Sequence, residues 1–238
     1  MRGGAAALAG AAAVGAAGVW CWPASAPVVP WIARSCAIPC RLPEPRGVAL
    51  TFDDGPHPQG TPAVLDLLER AGATATFFLV GEQVERWPGV AAQIAAAGHE
   101  IALHGYRHRL LLRRPTPILA RDLDRASEVI AAATGVVPTL YRPPYGIFSL
   151  GALRLVRARG LRPLLWSRWG RDWGARERPA EIARRASAVL VPGDVVLLHD
   201  ADHYSSPSSW ERTVAALPSI IERISLLDEP FVAASQST

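Results

Sequence analysis

Lysine and asparagine are absent from this chain of 238 residues, so all 25 of its basic side chains are arginine. A bias of that kind reflects GC-rich coding rather than a ligand, and the 21 acidic residues cut the formal net charge to +4. No compact basic cluster with interleaved aromatics stands in the chain, so no nucleic-acid partner is expected. Cysteine is scarce too: Cys21, Cys36 and Cys40 are too few to complete a Cys-ligated structural zinc site. There is no internal repeat and no glycine-rich phosphate loop. The absence of a G-x-S-x-G elbow argues against a nucleophilic serine hydrolase. What is present, 50% hydrophobic and 19% charged residues, is a globular composition, and the length suits one domain with a sizeable core.

The N-terminus is unlike the rest. After Met1-Arg2, a run from Ala5 to Val19 carries no charge; it suits the apolar core of a signal peptide and is short of the roughly 20 residues of a full span. Ala24-Ser25-Ala26 offers an A-x-A cleavage site, with Pro27 a poor neighbour for it, while extension through Trp20-Cys21-Trp22 favours an uncleaved anchor. The expectation is an exported, extracytoplasmic protein: residues 1–26 a signal peptide or membrane anchor, 27–46 a Pro-rich linker, and 47–238 one domain. Any membrane contact is expected through the N-terminal segment alone. Cys36 and Cys40 either bridge across Ala37-Ile38-Pro39 or stay two free thiols.

From Gly47 onward strand-like and helix-like segments alternate. Strands are expected at Val48–Thr51, Thr74–Val80, Glu100–Leu103, Thr139–Tyr141, Arg162–Trp166 and Asp194–Leu198. Helices are expected around Val64–Leu68, Val90–Ala97, Ile118–Ala133, Leu150–Arg159, Ala180–Val189 and Trp210–Ile224. Such repetition implies an α/β fold with a parallel sheet, either open or closed into a barrel. Asp53-Asp54, His104, Arg142, Asp172 and His199 all follow strands, and in a barrel the loops after the strands share one rim.

The polar residues at those positions suggest chemistry. Adjacent acids at a strand end point in different directions, so one of Asp53 and Asp54 can bind a cation while the other faces a water. His104 and His108, four apart, share one side of a helical turn, a spacing that lets two imidazoles grip one metal. With a nearby carboxylate they make a His₂Asp site with an open water position. Arg142, pinned among prolines, can fork onto a carboxylate and keep it ionised. Asp172 and Asp200 offer His199 the carboxylate partner of an acid–base group. Asp202 and His203 read as a polar loop.

Thr51-Phe52-Asp53-Asp54-Gly55-Pro56, His104-x-x-x-His108, Arg142-Pro143-Pro144-Tyr145, Asp172-Trp173 and Leu197-Leu198-His199 follow in order. Together they resemble the five motifs of the polysaccharide deacetylase family, the NodB-homology domain of carbohydrate esterase family 4. The resemblance spans roughly residues 47–232 and implies a distorted (β/α) barrel of seven to eight strands. It implies metal-dependent removal of N-acetyl groups from an N-acetylglucosamine polymer: peptidoglycan first, then chitin-like or exopolysaccharide chains. By position, Asp54, His104 and His108 would hold the divalent metal, zinc ahead of cobalt, nickel or manganese. Asp53 would be the general base on the attacking water, with Arg142 holding it. The Tyr145 N–H would stabilise the oxyanion, and His199, tuned by Asp172, would protonate the leaving amine. Trp173 and Leu197 would wall the acetyl methyl. Two positions depart from the pattern. Gly105 replaces a Ser or Thr that normally braces the loop, and Trp169 stands where the fourth motif has its first acid. Two other functions compete: hydrolysis of a non-sugar amide or imide on the same fold, and non-catalytic glycan binding.

Overall fold

The computed structural model describes residues 18–235. Most of the N-terminal run expected as signal or anchor, residues 1–17, lies outside the described residues. Among those described, no helix is long and apolar enough to cross a membrane.

Seven short strands form one parallel sheet. They are β1 (Ala49–Asp53), β2 (Thr76–Leu79), β3 (Glu100–Leu103), β4 (Leu140–Tyr141), β5 (Arg162–Pro163), β6 (Arg168–Trp169) and β7 (Val195–His199), in spatial order β5-β4-β3-β2-β1-β7-β6. The central strands β1 and β2 are buried along their whole length, as a parallel sheet covered on both faces requires. The stacked rings of Phe52 and Phe77, 5.1 Å apart, join them. Each such buried ring contributes about 1.5–3 kcal/mol of apolar burial.

The expected strand Arg162–Trp166 is broken in two. Its first half pairs with β4 and the continuation with β7, so one extended segment, 162–169, touches both edges of the curled sheet. The break has a physical cause: Arg142 Nε and Nη2 donate to the carbonyls of Leu164 and Leu165 (3.2 and 2.9 Å), which a side chain rather than a neighbouring strand therefore satisfies.

The larger helices are α2 (Gly60–Ala71), α4 (Pro88–Ala96), α5 (Thr116–Thr134), α6 (Leu150–Ala158), α7 (Pro179–Ser187) and α8 (Ser209–Ser225). All lie where the apolar periodicity predicts them. Two short helices have no such signal: α1 (Pro30–Ser35) and α3 (Gly81–Arg86). Within the segment read as a linker, Ile32, Ala33, Ile38 and Leu42 are buried in the core, and Pro39 accepts the Leu165 N–H (2.8 Å). Cys36 and Cys40 are both free thiols.

Candidate active site

The strand ends deliver the polar residues to one place. Asp53 and His199 are register partners on β1 and β7, so they leave the sheet side by side. Asp54 then takes φ +77, a left-handed conformation that costs a non-glycine residue energy, and it is nevertheless buried.

The spacing of His104 and His108 predicts one helical turn, and the structure corrects this. The segment is an irregular loop, opened by Gly105 at φ +94, a backbone geometry that only glycine adopts without strain. The backbone N–H groups of Gly81 and Glu82, at the start of α3, donate to the carbonyls of Gly105 and Tyr106 (both 2.9 Å) and hold that loop. The two imidazoles still come together, with ring centroids 5.3 Å apart.

Their Nε2 atoms lie 3.4 Å (His104) and 3.3 Å (His108) from Asp54 Oδ1, and donor atoms of all three residues fall within 4.8 Å of one another. His104 Nδ1 donates to the Arg142 carbonyl (2.8 Å), so in the neutral ring its Nε2 lone pair faces Asp54. Burial pushes His108 down to about 4, and it is neutral at pH 7. Asp54 Oδ1 is buried with no hydrogen-bond partner. A carboxylate oxygen and imidazole lone pairs aimed at one point are mutually repulsive without a cation between them. The donor set fits a divalent metal of the kind that takes nitrogen and oxygen ligands.

The neighbouring groups are satisfied within the chain. Arg142 is fully buried; its Nη1 donates to Asp53 Oδ1 (2.7 Å) and to Thr51 Oγ1 (2.9 Å), and the guanidinium lies 3.9 Å from the centre of the Phe78 ring. His199 Nδ1 donates to Asp172 Oδ1 (2.8 Å), while Asp172 Oδ2 accepts from the His199 backbone N–H and from Thr213 Oγ1 (both 2.7 Å). Burial alone would push His199 down, but Asp172, reinforced by Asp54 and Asp53, pushes it up to about 10. Asp200, the other acid beside it, points away, into a contact with the Thr61 hydroxyl.

Asp53, Asp54, His104, His108 and His199 line an open cavity of about 290 Å³. Trp173, Leu197 and Tyr145 line it, Tyr145 on a turn with φ +60. Trp166 and Trp169 extend that wall, with successive ring centroids 5.7 and 5.6 Å apart from Trp166 through Trp169 to Trp173. The replacement at Trp169 thus exchanges an acid for an aromatic surface. Asp202 and His203 face His57 and the Pro56 carbonyl instead of lining the cavity. The sequence reading missed Tyr204, which lines the cavity, and Thr213, which orients Asp172. Thr213 was visible as a polar residue on the apolar face of α8, four before Leu217 and seven before Ile220. Tyr204 had no such signal.

The family model described as polysaccharide deacetylase matches residues 41–164. A chitooligosaccharide deacetylase of Bradyrhizobium is 36% identical over 183 residues, 74% of this chain and 83% of that one. A peptidoglycan-N-acetylglucosamine deacetylase of Bacillus cereus is 34% identical, over 79% of this chain and 86% of its own. Among solved structures, a peptidoglycan N-acetylglucosamine deacetylase in complex with a hydroxamate superposes with a TM-score of 0.77 at 29% identity, covering 84% of this chain and 92% of that chain. The chain belongs to the polysaccharide deacetylase family and has its α/β fold.

Proposed function

We propose that this protein hydrolyses N-acetyl groups of an N-acetylglucosamine polymer outside the cytoplasmic membrane, with peptidoglycan the first substrate and chitin-like or exopolysaccharide chains next. The observation that carries this reading is one cavity holding two complementary halves: a His₂Asp donor set, and a histidine hydrogen-bonded to its own aspartate. Asp54, His104 and His108 would hold the cation, zinc first, and cobalt, nickel or manganese suit the same donors. When bound, it supplies Lewis acidity to the water and to the acyl oxygen.

The chain's own residues do the rest. Asp53, held by Arg142, takes the proton of the attacking water. The Tyr145 N–H donates to the oxygen that gains charge as the carbonyl carbon becomes tetrahedral. His199 gives its proton to the nitrogen as the C–N bond breaks, leaving acetate and a free amine. Trp173 and Leu197 enclose the acetyl methyl. The half-exposed Trp173 and Tyr145 at the rim suit a long glycan better than a small amide, and a complete set of charged groups argues against a binding-only domain. The uncharged N-terminal run supports export.

The test is acetate release by the full chain from N-acetylglucosamine oligomers and from peptidoglycan, before and after chelation and zinc repletion. Release that falls with chelation and returns with zinc is the expected result. A zinc-loaded protein that cleaves only small amides would move the reading to the non-sugar alternative. A chain that takes up no metal and releases nothing would move it to glycan binding.

A further inference from the structure

The two imidazoles that converge on Asp54 are held by different means. A metal-binding histidine is ordinarily oriented by a hydrogen bond from its other ring nitrogen. His104 has one, through Nδ1 to the Arg142 carbonyl (2.8 Å). His108 has none: its Nδ1 is buried without a hydrogen-bond partner. Packing fixes its ring instead. The Tyr204 ring lies against its face, with centroids 4.4 Å apart and planes 13° from parallel, and Tyr145 meets it edge-on at 4.5 Å.

Tyr204 is itself tied down. Its hydroxyl accepts from Gln83 Nε2 (2.9 Å) and donates to Glu82 Oε1 (2.7 Å). Both partners sit on α3, the helix whose first backbone N–H groups hold the carbonyls of Gly105 and Tyr106. One short helix therefore fixes the histidine loop from below and the covering tyrosine from the side.

We propose that Tyr204 is a positioning residue for metal binding: its ring, anchored by its hydroxyl to α3, holds the His108 imidazole with Nε2 toward the Asp54 carboxylate. This rests on the reading of Asp54, His104 and His108 as the cation site.

The experiment measures zinc affinity of the full chain by competition with a chromogenic chelator, for wild type, Tyr204→Phe, Tyr204→Leu and His108→Ala. Tyr204→Leu is expected to weaken binding by about 10- to 100-fold, the range for losing a residue that orients a ligand. Tyr204→Phe keeps the ring, loses its ties to Glu82 and Gln83, and is expected to fall between wild type and Tyr204→Leu. The visible absorption of the cobalt-loaded proteins reads ligand geometry and should shift in the same order. Raising zinc should recover part of the kcat lost by Tyr204→Phe, as a defect in holding a metal ligand predicts. Wild-type affinity and an unchanged cobalt spectrum in Tyr204→Leu, with binding abolished in His108→Ala, would overturn the proposal and leave the cation site standing. A wild-type chain that takes up no zinc overturns both. If Tyr204→Leu does not fold, Tyr204→Phe decides: affinity and spectrum equal to wild type sink the idea.

Discussion

Asp53 and Asp54 are consecutive, equally buried at 3% exposure, and sit in opposite chemical situations. Asp53 meets a buried arginine at 2.7 Å, and Asp172, His199 and Thr213 likewise satisfy one another within the chain. Asp54 faces two imidazoles and keeps an oxygen with no partner. The difference arises in the backbone. Asp53 continues β1 and projects with its pleat toward Arg142, while φ +77 at Asp54 swings the next carboxylate toward the histidine loop. One side of the cavity is satisfied within the chain; on the other, donor atoms of three residues converge on one point.

The largest expected effect comes from opening the completed side. Asp172→Asn removes the charge that does most to push His199 up, so the imidazole loses its proton at lower pH than in wild type. Deacetylation at pH 7 should fall by about 10²- to 10⁴-fold, the usual contribution of a positioned acid. The remaining activity should move to lower pH. A kcat–pH profile that keeps its wild-type position after the substitution would show that Asp172 does not set the protonation of His199.

Stability should distinguish the two sides in the metal-free protein. Arg142→Leu strands the Asp53 carboxylate and two carbonyls, and breaking a buried pair in this way costs about 3–5 kcal/mol. Asp54→Ala removes a buried carboxylate with an orphaned oxygen and should leave stability within about 1 kcal/mol of wild type, or raise it. Zinc reverses the ranking, since wild type gains stability from a ligand that binds only the folded state and Asp54→Ala gains none. Chemical denaturation with and without zinc measures all of these. A large metal-free loss in Asp54→Ala would mean that its carboxylate is paired after all.

The same contrast explains what was legible in the sequence. The motifs at Asp53-Asp54, His104, Arg142, Asp172 and His199 could be read as one site because each follows a strand, and a parallel sheet gathers its strand ends on one rim. Helices with a full apolar stripe, such as α5 and α8, were equally plain. Conformation set by tertiary contacts was not. The histidine spacing matched a helix, but the positive φ at Gly105 and the grip of α3 make a loop of it. The strand at 162–169 bent because Arg142, 22 and 23 residues upstream of Leu164 and Leu165, captured their carbonyls. Helices α1 and α3, six residues each, are too short for periodicity to declare them.

Asp200 offers a smaller and finer test, because it stands between the two cases. Its Oδ2 accepts from the Thr61 hydroxyl, its Oδ1 is buried without a partner, and no room remains beside it: a Cβ on Gly55 would come within 2.7 Å of the carboxylate. Burial pushes this carboxyl up to about 7, against the pull of the Thr61 hydroxyl. An acid whose folded pKa is raised contributes stability that is fully present below its unfolded pKa, near 4, and is lost as pH rises through the folded value. Between pH 5 and 8 wild type should therefore lose about 2–3 kcal/mol relative to Asp200→Asn, which keeps the shape and cannot ionise. Taking the difference between the two proteins cancels the histidines that titrate in the same range. A difference that stays flat over those three pH units would place Asp200 with Asp53, as a carboxylate the fold has already paired. A falling difference would place it with Asp54, among the groups whose burial the fold tolerates without fully satisfying them.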